Sequence, residues 1–83
     1  MARILFFGKL AEAAGGRARD WPLAPGTRTI GDLVTALGAS EASLADALNE
    51  KSVRVIVNEM VAPRDAHIGD EDEIAFLPPV SGG

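Results

Sequence analysis

The residues whose types and spacing could do chemistry sit at the end of the chain, in the run Leu77-Pro78-Pro79-Val80-Ser81-Gly82-Gly83. Two terminal glycines alone arise by chance in roughly one chain in 200, given glycine at about 7% of positions. Their context gives them weight. Residues before proline are pushed to extended conformations, and consecutive prolines hold polyproline II geometry, so Pro78-Pro79 should lift the chain stiffly away from the domain. Val80 to Gly83 then span at most about 13 Å, at roughly 3.3 Å per residue. Without side chains, Gly82 and Gly83 can enter a slot too narrow for other residues. A carboxylate delivered that way suits activation by ATP: its oxygen attacks the α-phosphate, and the acyl-adenylate accepts a second nucleophile. Sulfide or persulfide would give a terminal thiocarboxylate, and a lysine amine would give an isopeptide. The chain has no phosphate-binding glycine loop with lysine. The chemistry must therefore be done to it by a partner enzyme, with Gly83 reacting and Pro78, Pro79, Val80, Ser81 and Gly82 inserting.

Other reactive constellations are thin. There is no cysteine, which removes thiol nucleophiles, disulfides and Cys-ligated metal. His67 has no Cys or His companion at ligand spacing and reads as a surface residue, so no metal and no bound cofactor are expected. Asp32, Asp46 and Glu50 read as helix-surface carboxylates rather than a catalytic pair. With 83 residues and 47% hydrophobic content, the chain can build one small core. A net charge of −4 argues against nucleic acid or an anionic membrane as partner. No apolar run nears the roughly 18 residues that span a bilayer. Nor does the start resemble a signal peptide, so a cytoplasmic protein is expected. Beyond Arg64 there is no Lys or Arg, while Asp65, Asp70, Glu71, Asp72 and Glu73 follow. The simplest reading of that acid is a solvated loop. The sharper one is steering toward a basic partner, which raises on-rate more than affinity.

The elements that must position the tail can be taken in order. Ala2 to Gly8 predicts a strand, apolar on both faces through Ile4-Leu5-Phe6-Phe7. Lys9 to Ala14 predicts a short helix ended by Gly15-Gly16, and Arg17 to Leu23 a weaker edge strand with Trp21 and Pro22. The clearest helix starts at Thr29, with Asp32 completing a capping box. Ile30, Leu33, Val34 and Leu37 form its buried stripe, and Gly38 is expected to end it. Ser40 can cap a second helix bearing Leu44 and Leu48. Val53 to Val57 predicts a central strand, Asn58-Glu59 a tight turn, Met60 to Ala62 a short return, Pro63 to Glu73 a polar loop, and Glu73 to Leu77 the last strand.

That order predicts an α+β domain, the ubiquitin-like β-grasp, with a mixed four- to five-stranded sheet on one main helix plus short helices. Residues 1–77 would form the domain and 78–83 a flexible extended tail. The first and last strands would lie side by side at its centre. If Ile4, Phe6, Ile74 and Phe76 face the helix, alternation turns Phe7 and Leu77 the other way. With Val61, they would mark a partner site, since exposed apolar patches commonly do. The opposite assignment, with these residues in the core, stays open at this level.

The chain resembles the small, sulfur-carrying subunit of molybdopterin synthase, in the ubiquitin-like sulfur-carrier family. The resemblance rests on Leu5-Phe6-Phe7, Glu12, Gly15, Val57-Asn58, and above all the run from Asp72 to Gly83. It implies that a ubiquitin-activating-type enzyme adenylates Gly83, which becomes a thiocarboxylate. It also implies two carriers flanking a dimer of the large subunit, each passing sulfur to cyclic pyranopterin monophosphate. The large-subunit contact would then fall on Phe7, Val61 and Leu77, and the carrier itself would not be an enzyme. Family members often carry Asp-Gly-Asp-Glu before the last strand, where this chain has Gly69-Asp70-Glu71-Asp72-Glu73. Val57-Asn58, Val61 and Pro63-Arg64 also resemble thiamine-pathway sulfur carriers, which usually lack the double proline. A ubiquitin-like modifier of lysines and a plain binding module with an inert tail are the remaining alternatives.

Overall fold

The apolar runs at the two ends of the chain pair with each other. In the computed structural model, which describes residues 1–78, β1 (Ala2–Phe6) and β5 (Glu73–Leu77) are parallel neighbours in register Ile4 to Ile74 and Phe6 to Phe76. The sheet has five strands in the order β2-β1-β5-β3-β4, with β2 (Ala18–Trp21), β3 (Arg54–Val57) and β4 (Met60–Val61) added antiparallel. This is the mixed sheet the element order predicts. A parallel pair needs a long crossover. Here α1 (Lys9–Ala14), α2 (Ile30–Ser40) and α3 (Ala42–Leu48) lie within it.

The helices cover one face only. Ile4, Phe6, Val55, Ile74 and Phe76 meet Leu10, Ile30, Leu33, Leu37, Leu44 and Leu48 in a single buried cluster. The Phe6 and Phe76 rings stack with centroids 5.9 Å apart. Arg19 clasps the sheet edge to the helices. Its guanidinium donates to Ala14 O at 2.6 Å, pairs with Glu41 at 2.8 Å, and lies over the Phe6 and Trp21 rings. No helix of the described residues is long and apolar enough to cross a membrane.

Three local expectations are corrected. β1 ends at Phe6 because Gly8, at φ 56°, turns the chain into α1. Gly38 does not end α2, which runs on to Ser40. The glycine is there because α3 crosses it: a Cβ on Gly38 would lie 2.8 Å from the Ala45 Cβ. Ser40 is accordingly inside α2, and Glu41 caps α3 without a side-chain bond.

The stretch after Pro63 also does more than cover the surface. Ala66 and Ile68 pack against the core, while Ala66 O and Arg64 O accept the Ile30 and Gly31 N–H groups. Thr29 Oγ1 accepts from the Asp32 N–H at 3.2 Å, and the Thr29 carbonyl from Leu33. Every orphan donor of the first turn of α2 is thereby satisfied. Asp32 completes the box by accepting from the Arg28 and Thr29 N–H groups at 3.0 and 3.1 Å. The Arg28 bond and then the Thr29 bond hold its carboxyl below the usual range. Thr29→Ala is expected to cost about 1 kcal/mol, lowering Tm by about 4–8 °C in thermal unfolding. Because the folded pKa of Asp32 is depressed, its contribution is present above the unfolded aspartate value of about 3.9. It is lost as pH falls through the folded value. Asp32→Asn should therefore flatten the acid limb of stability against pH.

Candidate functional site

Alternation turns a second set of side chains away from the helices, and register lines them up across the sheet. Leu5 neighbours Ala18 on β2 and Ala75 on β5, Ala75 neighbours Ile56 on β3, and Ile56 neighbours Val61 on β4. An apolar row thus crosses all five strands. One step toward the C-terminal end of β5, Leu77 faces Arg54, and Phe7 extends β1 on the same side, its N–H donating to Phe76 O at 3.1 Å. Phe7 is 47% exposed and Val61 71%, while Leu5, Ile56 and Leu77 are half-buried. One step the other way the row is charged: Asp20, Arg3 and Glu73.

The three residues picked from the sequence therefore share a face but are not one cluster. Val61 lies two strands from Leu77, and Ile56, Ala75 and Leu5 make the surface continuous. Those connecting residues were missed, although period-two alternation against Val55 and Ile4 is a usable signal for them. Phe7 and Leu77 lie outside the core cluster, so the arrangement that buries them does not occur. Beside Phe7 an open groove, lined by Leu5, Ala11, Ala18, Glu12 and Arg17, continues the face toward α1. Pro78 lies at the edge of this surface and is half-buried. Pro79, Val80, Ser81, Gly82 and the candidate reactive Gly83 lie outside the described residues.

The acidic run is less uniform than its composition suggests. Asp72 accepts from Gly69 N–H at 2.7 Å and from the Asn58 side-chain amide at 2.8 Å, while Asn58 Oδ1 accepts from Glu73 N–H at 2.9 Å. This clamp holds the β3–β4 turn against the start of β5, at the sheet end opposite Leu77. Asp70, Glu71 and Glu73 remain exposed there. The outer face is thus apolar at its centre, acidic at one end, and marked by Arg54 where the tail leaves. His67 is exposed and bridges Thr29 through its backbone. Among the described residues no cluster suited to a metal ion forms. Asp46 is exposed and Glu50 pairs loosely with Lys9 at 3.9 Å.

In the turn itself Asn58 (φ 49°) and Glu59 (φ 70°) are both left-handed. That is the geometry a two-residue hairpin turn needs, with Asn-Gly preferred. Glu59 carries a Cβ penalty that glycine would not. Glu59→Gly is expected to stabilise the domain by about 0.5–1 kcal/mol, measurable as a higher urea midpoint.

The fold and the uncovered face define a ubiquitin-like β-grasp domain. A model of the ThiS family matches residues 4–83. The chain is 34% identical over 80 residues to the molybdopterin synthase sulfur carrier subunit of Mycobacterium tuberculosis, covering 96% of this chain and 94% of that one. It is 32% identical over 83 residues to the protein of that name from Escherichia coli, with both chains covered in full. Among solved structures, SAMP1 from Haloferax volcanii superposes with a TM-score of 0.81 at 30% identity, covering 99% of this chain and 98% of that one. The chain belongs to the ThiS family.

Proposed function

We propose that this chain is a sulfur carrier for molybdenum cofactor biosynthesis, working as the small subunit of a molybdopterin synthase. The observation that carries the reading is continuity: the apolar outer face ends at Leu77, Pro78 follows directly, and Gly83 stands five residues further on. The match of the family over residues 4–83 and the names of the full-length relatives support it.

In this reading a ubiquitin-activating-type enzyme holds ATP, and the Gly83 carboxylate attacks the α-phosphate, releasing pyrophosphate. Sulfide then displaces AMP, forming the C–S bond of the thiocarboxylate; with a persulfide donor, a thiol must next cleave the S–S bond of the acyl disulfide, leaving the thiocarboxylate and a new disulfide. Phe7, Val61 and Leu77, with Leu5 and Ile56 between them, dock on the large subunit, two carriers to a large-subunit dimer. Pro78 to Gly82 thread each tail into an active site. There the sulfur passes to cyclic pyranopterin monophosphate and the carboxylate is regenerated. The chain holds no cofactor and supplies no catalytic group beyond its terminus. The setting is the cytoplasm.

Reconstitution tests this. Thiocarboxylated carrier, large subunit and cyclic pyranopterin monophosphate should together yield the dithiolene, whereas the unmodified carrier should not. No product with a competent large subunit would count against the assignment. A thiamine-pathway role would show instead as failure to restore pterin synthesis in a deficient strain. One observation favours a further reading: the likeness to SAMP1, described as a small archaeal modifier protein. A modifier role predicts heavier covalent adducts on lysines that depend on Gly83.

A further inference from the structure

Gly8 and Pro78 are 70 positions apart in sequence and in contact in the fold. A Cβ built on Gly8 would lie 2.9 Å from Pro78 Cγ, closer than real side chains approach, and in ordinary contact with its Cδ at 3.7 Å. Gly8 also adopts φ 56°, ψ −135°, a conformation that L residues with a Cβ adopt only under strain. Either feature alone could reflect turn geometry. Together they place a bare backbone against the first residue of the tail.

Neither side of the contact is free to yield. Phe7 N–H donates to Phe76 O, tying β1 to β5 just before both residues. On the far side, Leu10 N–H bonds Phe7 O at 3.1 Å and Ala11 N–H bonds Gly8 O at 3.0 Å, and Leu10 is fully buried. The loop is thus pinned by α1. On the tail side the touching atom belongs to a proline ring, which closes on the backbone nitrogen, so beyond a change of ring pucker it moves only with the main chain.

We infer that Gly8 is a positioning residue for the tail: its missing side chain seats Pro78 and so fixes the point at which the tail begins. The inference rests on the sulfur-carrier reading. Five residues beyond Pro78 reach at most about 16 Å, so where Pro78 sits limits where the terminus can be delivered. Misplacement by about 1 Å at a reacting centre can cost on the order of 100-fold in rate. Gly8 lines the groove beside Phe7 but lies outside the apolar row of Leu5, Ala75, Ile56 and Val61 over which partner contact is spread. Docking and delivery should therefore separate.

The test is a double-mutant cycle on thiocarboxylated protein with the large subunit at saturation. Gly8→Ala should slow sulfur transfer at least about tenfold while the dissociation constant stays within about twofold. On a Pro78→Ala background, which lacks Cγ, the same substitution should have little further effect. An equal penalty on both backgrounds, or transfer at the wild-type rate in Gly8→Ala, overturns the inference. Because Gly8→Ala also strains φ, a chemically synthesised chain with D-alanine at position 8 provides a second arm. D-Alanine accepts positive φ and puts its methyl in place of the other α-hydrogen, so transfer should be retained, and its loss overturns the inference. In wild-type protein a nuclear Overhauser contact between the Gly8 α-protons and the Pro78 ring should be present, and its absence likewise overturns it. Wild-type protein that carries no sulfur would instead sink the carrier reading on which this one rests.

Discussion

Leu77→Asp should leave the domain folded and weaken binding to the large subunit by about two orders of magnitude. Leu77 is half-buried on the outer face, and its cross-strand neighbour is Arg54. In the free protein the new carboxylate stays in contact with water and gains that cation, so the expected stability change is within about 1 kcal/mol. In the complex the same group would be desolvated on an apolar surface, which costs several kcal/mol unless the partner supplies a counter-charge. Phe76→Asp is the matching control, one residue away and pointing inward at 0% exposure. It should unfold the domain. Circular dichroism together with a binding isotherm separates the two. If Leu77→Asp unfolds, or binds normally, the outer face is not the docking surface.

Gly38→Val should destabilise the fold by about 3 kcal/mol, lowering Tm by about 10–20 °C. The sign is the informative part, since helix propensity alone says that Gly38→Ala should stabilise α2 by up to about 1 kcal/mol. The structure says otherwise. The added methyl would meet Ala45 Cβ at 2.8 Å and Ala45 Cα at 3.0 Å, so α3 would have to move, at a typical overpacking cost of about 1–3 kcal/mol. Steric cost wins, and valine adds bulk together with a poorer helix former. Gly16, which has nothing within 4 Å, is the control, and Gly16→Ala should be neutral or mildly stabilising. A Gly38→Ala variant more stable than wild type would show that α2 and α3 can slide apart.

These two cases show what local sequence carries and what it omits. The central pairing of β1 with β5 was legible from the β-grasp order of elements, which sets the first and last strands side by side, and their apolar runs suit that position. The capping box of Thr29 and Asp32 and the tight turn at Asn58-Glu59 were legible too, since each is made by residues within four positions of one another. Gly38 was misread as a helix end because its reason lies seven residues later, in the face α3 presents to it. The clamp of Asn58 on Asp72 spans 14 positions, and the contact of Gly8 with Pro78 spans 70. No periodicity reports either.

For the site, the alternation of Phe7 and Leu77 against Phe6 and Phe76 correctly separated the two faces. The row that unites the outer face depends on register across four strand pairs, which composition does not encode. Alternation can put Leu5 and Ile56 on that face, but that they join with Ala18 into one surface follows only from register. The acid-rich run also divided, with Asp72 bonding within the fold, Asp70 accepting from Leu23 N–H at 3.4 Å, and Asp70, Glu71 and Glu73 exposed.

The central claim is that the Gly83 carboxylate is the working group, and its mass tests that most directly. The protein should be incubated with a ubiquitin-activating-type enzyme, ATP and a sulfur donor, and its intact mass then measured. The account predicts a gain equal to one oxygen replaced by one sulfur, localised to the C-terminal peptide and absent without ATP. An unchanged mass in the presence of an enzyme active on a known carrier would contradict it.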